Sequence, residues 1–174
     1  MEPKLQQCFD LAEKHRNELI QRLQSHSDEI LNRLPAPEKW SPIQVMHHLI
    51  LSETNTVNYL RKKMMGVASA RKSGFSAKVR IWLTKLLLAT SFLKRKAPPA
   101  IANVPDSATL ADTVALWNNI RSQLKGILDE LPQGAAEREL FRHPVAGMFN
   151  LYQMIEFLDA HFRHHEVQIQ KALK

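Results

Sequence analysis

Two histidines four apart, His161 and His165, lie in a stretch whose apolar residues recur at helical spacing, with His164 beside them. Far upstream, His47 and His48 lie in a second such stretch that opens at Trp40. A His-x-x-x-His pair presents both imidazoles on one helix face, and a facing helix can supply a third nitrogen. Three such donors are the minimum for holding a divalent ion with a coordination position left open for water or substrate. Neutral ligands leave Zn²⁺, Ni²⁺ or a similar ion its full charge, so it strongly lowers the pKa of bound water or thiol. The chemistry these residues suggest is metal-assisted hydrolysis or attack by a thiol on a small-molecule substrate.

A helical wheel tests that suggestion. At about 100° per residue, His165 falls about 40° from His161, among Leu151, Met154, Leu158, Phe162 and Ile169. His164 falls on the opposite flank with Gln153, Gln168 and Lys171, which places it at a rim or in solvent. Two imidazoles on an apolar face are costly unless each finds a partner. A shared metal satisfies both at once, whereas a core carbonyl or carboxylate satisfies one. The upstream stretch is apolar nearly all round, so its periodicity does not choose between His47 and His48. Glu53 could orient a ligand or act as general base, and His143, in a loop holding Pro144 and Gly147, could line a site mouth. Glu156 and Glu166 read as a solvated helix face. Paired inward Glu-x-x-His motifs, a Gly-rich phosphate loop and a Gly-x-Ser-x-Gly turn are all missing from the sequence.

The elements that must position these residues are helical. Leu, Ala, Glu, Gln, Lys and Arg fill the long segments and there are only five glycines in 174 residues, a composition that favours an all-α protein. The first helix is expected from Lys4 to Leu34, stopped by Pro35 and Pro37. The second starts at Ser41, where Ser41, Pro42 and Gln44 spell a capping box, and runs to about Met65. The third starts near Ser107 or Thr109 and ends at Pro132 to Gly134; the fourth runs from about Met148 to Ala172. No strand alternation competes with these assignments. Short links join helices one to two and three to four, while about forty residues separate two from three. The expected architecture is a single-domain four-helix bundle with one long crossover, and that crossover carries an extra helix from Phe75 to Lys96 followed by an extended stretch at Pro98 and Pro99.

Charge is distributed unevenly. Residues 61–96 hold eleven Lys or Arg and no Asp or Glu, so a chain of net charge +7 carries −4 outside that segment. Such confinement, with little aromatic interleaving, argues against nucleic acid as a partner. Within the segment, Val79, Trp82, Leu83, Leu86, Leu87 and Phe92 with Arg80, Lys85, Lys94, Arg95 and Lys96 make a basic amphipathic helix. A helix of this kind can serve a non-catalytic module that docks a partner protein or an anionic membrane surface. The expectation here is that its apolar side covers the bundle or a dimer mate. The start of the chain has no signal-peptide core, Ile81 to Leu93 is too short to span a bilayer, and the single Cys8 suits a reducing cytoplasm.

Three motifs occur in order along nearly the whole chain: Trp40-Ser41-Pro42-x-Gln44-Val45-x-x-His48-Leu49-x-x-x-Glu53, His143-Pro144-x-x-Gly147, and His161-x-x-x-His165-x-x-Gln168-Ile169. Together they resemble the DinB-like superfamily, which includes YfiT-type metal-dependent hydrolases and thiol-dependent S-transferases. The resemblance implies a bundle of up-down-down-up connectivity, often a homodimer, with a mononuclear zinc or nickel site at one end. It implies His48, rather than His47, as the first ligand, with His161 and His165 as the other two. It assigns no role to His47 or His164, and the basic crossover departs from the simplest members. A low-molecular-weight thiol is the cosubstrate it suggests, and Lys62, Lys63, Arg71 and Lys72 are expected to recognise that thiol's carboxylates from a crossover lying over the site.

Overall fold

The computed structural model describes residues 1–89, 103–143 and 145–174. Phe92, Lys94 to Lys96, Pro98, Pro99 and Pro144 lie outside the described residues. The described helices are α1 (Pro3–Leu23), α2 (Asp28–Asn32), α3 (Pro42–Met64), α4 (Phe75–Ala89), α5 (Leu110–Asp129) and α6 (Leu151–Ala172), with short strands β1 (Phe141–His143) and β2 (Gly147–Phe149). The chain folds as a four-helix bundle of α1, α3, α5 and α6.

Side-chain contacts along the helices fix their directions. His15 meets Asp159 and Arg22 meets Glu166, so α1 and α6 run parallel. His47 meets Thr113, Glu53 meets Trp117 and Arg121, and Arg61 meets Gln123, so α3 and α5 also run parallel. His48 near the start of α3 meets His165 near the end of α6, and Tyr59 near the end of α3 meets Phe141 and through it Phe157 nearer the start of α6. So α3 runs antiparallel to α6 and α1, and the order is up-down-down-up. A parallel α3–α5 pair requires the chain to travel the length of the bundle between them, which is the physical need for the long crossover. Its helix α4 lies along α6 in the same direction, with Arg80 bonded to the Met148 carbonyl, Lys85 to Glu156, and the Leu88 carbonyl to His164.

The expected first helix is in fact two. The run breaks after Leu23, and Ser27 caps a new turn by accepting the Ile30 N–H. Ser25 and Ser27 supply side-chain oxygens that compete for backbone partners, so the helix yields where tertiary contacts reward a bend. The reward is visible in α2: Asn32 bonds both the N–H and the carbonyl of Ala108, and Asp28 accepts the Leu110 N–H, which ties α2 to the start of α5. At Ser41 the capping box forms as the sequence specified, and Thr109 caps α5.

The fourth helix begins at Leu151 rather than Met148, behind a second capping box of Asn150 and Gln153. The residues before it form an unexpected antiparallel hairpin in which His143 pairs with Gly147 and Phe141 with Phe149. Three-residue strands are too short to show alternation. Gly147 closes the turn at φ +83°, a left-handed conformation that costs glycine little and other residues more. Beneath the hairpin, Phe141, Phe149 and Phe157 join the main core around Trp117, Phe162 and Leu124.

The outer helix α4 covers the bundle with only part of its apolar side. Ala77 and Ile81 are buried and Leu88 packs on the core, but Phe75, Val79, Trp82, Leu83, Leu86 and Leu87 are exposed in the chain. Most of its apolar side does not cover the bundle.

Candidate metal centre

His48 lies two turns into α3, just beyond the capping box, and is 3 % exposed. His161 and His165 lie in the C-terminal half of α6 and are half-buried. Since α3 and α6 are antiparallel, the start of one meets the end of the other, and the three imidazoles converge at that end of the bundle. One nitrogen from each lies within 4.8 Å of the other two. Ring centroids stand 5.3 Å apart for His48 and His161, and 4.6 Å apart for both His48–His165 and His161–His165.

The nitrogens, not the ring edges, face inward. The Nε2 atoms of His161 and His165 are 3.1 Å apart. Two nitrogens bound tetrahedrally to zinc at about 2.0–2.1 Å sit about 3.3–3.4 Å apart, so the pair is close to ligand spacing before any ion enters. On its far side His165 uses Nδ1 at 2.9 Å from the Gln168 side-chain oxygen. An amide oxygen only accepts, so Nδ1 carries the proton and Nε2 keeps its lone pair for the cluster. Gln168 is thus the outer partner that such a ligand needs. The donor set fits a divalent ion: three imidazoles, converging, one of them already held in the ligating tautomer.

Electrostatics favour the neutral, metal-ready forms. Burial, helped by His165 and His48, pushes His161 well below the ordinary histidine value. His165 is pushed down to about 3, again mainly by burial and next by His48, with the Gln168 bond opposing the shift. Around the cluster, Trp40 stands 5.1 Å from His48 and Phe157 stacks on His161 at 5.6 Å, giving the site an aromatic wall.

Three other histidines near these helix ends and the hairpin, His47, His164 and His143, are used elsewhere. His47 donates from Nε2 to the Thr113 hydroxyl at 3.2 Å, because that hydroxyl's own proton goes to the Thr109 carbonyl; burial lowers its pKa. His164, expected at a rim or in solvent, is part-buried at the rim, where it donates to the Leu88 carbonyl at 2.7 Å and fastens α4 to α6. His143 accepts the N–H groups of Val145 and Ala146 on Nδ1, which leaves the proton on Nε2 when the ring is neutral. Its ring meets Phe157 edge to face at 4.5 Å, so it touches the site's wall rather than the cluster. Burial lowers its pKa too.

Glu53 is not brought to the histidines. It is 3 % exposed, and its oxygens take Arg121 at 2.6 and 2.7 Å and the Trp117 indole at 3.1 Å. Burial works against the Arg121 charge, yet Glu53 and Glu13 more than offset it and hold the guanidinium above its ordinary value. Arg16 joins this network through Glu13 and Asn118. The only sequence sign of it was a pair of arginines, Arg16 and Arg121, on otherwise apolar faces; no spacing rule pairs them. Nor does the basic segment lie over the site at its start. Lys62 and Lys63 are about 14 residues beyond His48 on α3, roughly 21 Å along the axis. Lys72 stands by Glu137, and Ser73 reaches Gln153 at the opposite end of α6.

The profile of the DinB superfamily matches residues 11–169. No curated protein gives a significant match. Among solved structures, YfiT from Bacillus subtilis superposes with a TM-score of 0.61 at 19 % identity, covering 99 % of this chain and 87 % of its own. That protein is described as a probable metal-dependent hydrolase with an unusual four-helix bundle topology.

Proposed function

This chain belongs to the DinB superfamily, and from that premise we propose that it is a metal-dependent hydrolase of a small-molecule substrate, with His48, His161 and His165 as the ligands of one divalent ion. The observation that carries the reading is the 3.1 Å approach of the His161 and His165 Nε2 atoms, with Gln168 holding the second ring in the ligating tautomer. Zinc and nickel are the ions that suit three imidazoles at this spacing. When bound, the ion supplies Lewis acidity at an open coordination position.

The chain's own residues do the rest. Burial keeps both α6 imidazoles unprotonated at neutral pH, so binding an ion displaces no proton from them. Trp40 and Phe157 line the flanks of the cluster with apolar surface. The Nε2–H of His143, whose ring meets Phe157 edge to face, is suited to orient a polar group of the substrate.

The test is metal content by elemental analysis on tag-free protein, wild type against His48→Ala and His161→Ala. About one zinc or nickel per chain, lost in both variants, is expected. Absence of metal together with no uptake on reconstitution refutes the reading. A substrate screen on the loaded protein, with and without low-molecular-weight thiols, then separates hydrolysis from S-transfer: turnover that requires a thiol reassigns the reaction.

A further inference from the structure

The helix α4 is turned inside out. Phe75, Val79, Trp82, Leu83 and Leu86 fall within about 100° of one another on its wheel and all point away from the bundle. Phe75 is 78 % and Trp82 61 % exposed. Its polar anchors point inward instead. Arg80 donates to the Met148 carbonyl at 2.8 Å and stands 3.6 Å from Glu139, and Lys85 reaches Glu156 at 3.2 Å. Together with buried Ala77 and Ile81, and with the His164 bond to Leu88, these contacts hold the helix in this rotation. The outward stripe therefore belongs to the folded state, and a soluble surface rarely carries so contiguous a one.

Charge selects the occupant. Residues 61–96 carry eleven basic side chains and no acidic one, while the rest of the chain is net negative. A second copy meeting this face through a two-fold axis would bring two such segments together and repel. An anionic surface is attracted. The stripe is also carried on a single outer helix, with Phe75 and Trp82 its most exposed members and Lys78 along its border. That arrangement suits the plane of a bilayer interface, where the apolar side enters and lysines reach the headgroups. No described helix is long and apolar enough to cross a membrane, so α4 would lie in the interface. We propose that the outward face of α4 is a peripheral docking surface for anionic lipid bilayers. The three-histidine site takes no part in this.

The experiment is co-sedimentation of the full chain with vesicles of phosphatidylcholine alone or with about 30 % phosphatidylglycerol, at about 0.1 and 0.5 M salt. Wild type is compared with the double variant Trp82→Glu/Leu86→Glu and with Trp82→Phe, each checked for unchanged helical circular dichroism. Binding at least about tenfold stronger to the anionic vesicles, weakened by salt, lost in the double variant and kept in Trp82→Phe, is expected. Equal binding by the double variant, or no binding to anionic vesicles, overturns the proposal. So does a lipid-free dimer that the double variant dissolves, which would give the face to a second copy.

Discussion

Replacing Glu53 by Gln removes one charge from the interior and changes almost nothing in shape. In the structure this carboxylate takes two bonds from Arg121, at 2.6 and 2.7 Å, and one from Trp117 at 3.1 Å, with both charged partners 3 % exposed. An amide keeps one acceptor oxygen but turns an NH₂ toward the guanidinium, so one of the two Arg121 bonds becomes a donor–donor clash. Breaking a buried pair by removing one charge typically costs about 3–5 kcal/mol. Here Glu13, 3.1 Å from Arg121 Nη1, still faces the stranded cation, so the low end, about 3 kcal/mol, is expected. In a chain of this size that is a fall in Tm of about 6–12 °C. Urea denaturation should be run with a chelator present, so that metal linkage does not enter the difference. Metal stoichiometry should stay at the wild-type value, because Glu53 does not reach the histidine cluster. A loss below about 1 kcal/mol would refute the buried-pair account. Unchanged stability combined with a collapse of turnover would instead return Glu53 to the role of general base.

Two further outcomes follow from the same geometry. Gln168→Ala frees the His165 ring to choose its other tautomer, so metal affinity should fall about 10–100-fold at unchanged stoichiometry, measured by competition with a chelating dye; equal affinity would remove Gln168 from the site. His161 and His165 have folded pKa values below the unfolded value, so below about pH 6.5 the unfolded chain binds more protons and the metal-free protein loses stability as pH falls. Between about pH 6.5 and 5, before carboxylates dominate, each contributes a slope of up to about 1.4 kcal/mol per pH unit, and a His161→Gln/His165→Gln protein should show a correspondingly flatter profile by urea denaturation. A profile as steep as wild type would mean that the two rings are not buried neutral.

Much of this protein is written in local sequence. The Ser41–Gln44 box forms because its two reciprocal bonds join residues three apart, and the cap at Thr109, whose hydroxyl accepts the Asp112 N–H, is equally local. The meeting of His161 and His165 is equally local, since one helical turn separates them and the helix alone sets their common face. The hairpin at Gly147 and the break at Ser25 were not legible, because strands of three residues and a bend between two helices carry no periodicity. Which of His47 and His48 turns toward α6 was open to periodicity, for α3 is apolar on several sides; docking between α5 and α6 decides it, sending His47 to Thr113 and His48 to the cluster. Glu53 looked as available as any carboxylate until α5 brought Arg121 against it. The rotation of α4 is the same kind of fact. Its sequence defines an apolar stripe, but the bonds of Arg80, Lys85 and Leu88 to residues 60 or more positions away turn that stripe outward. Contacts within a turn depend on neighbours the sequence places side by side, whereas a choice between helix faces depends on which partners the folded chain brings within reach.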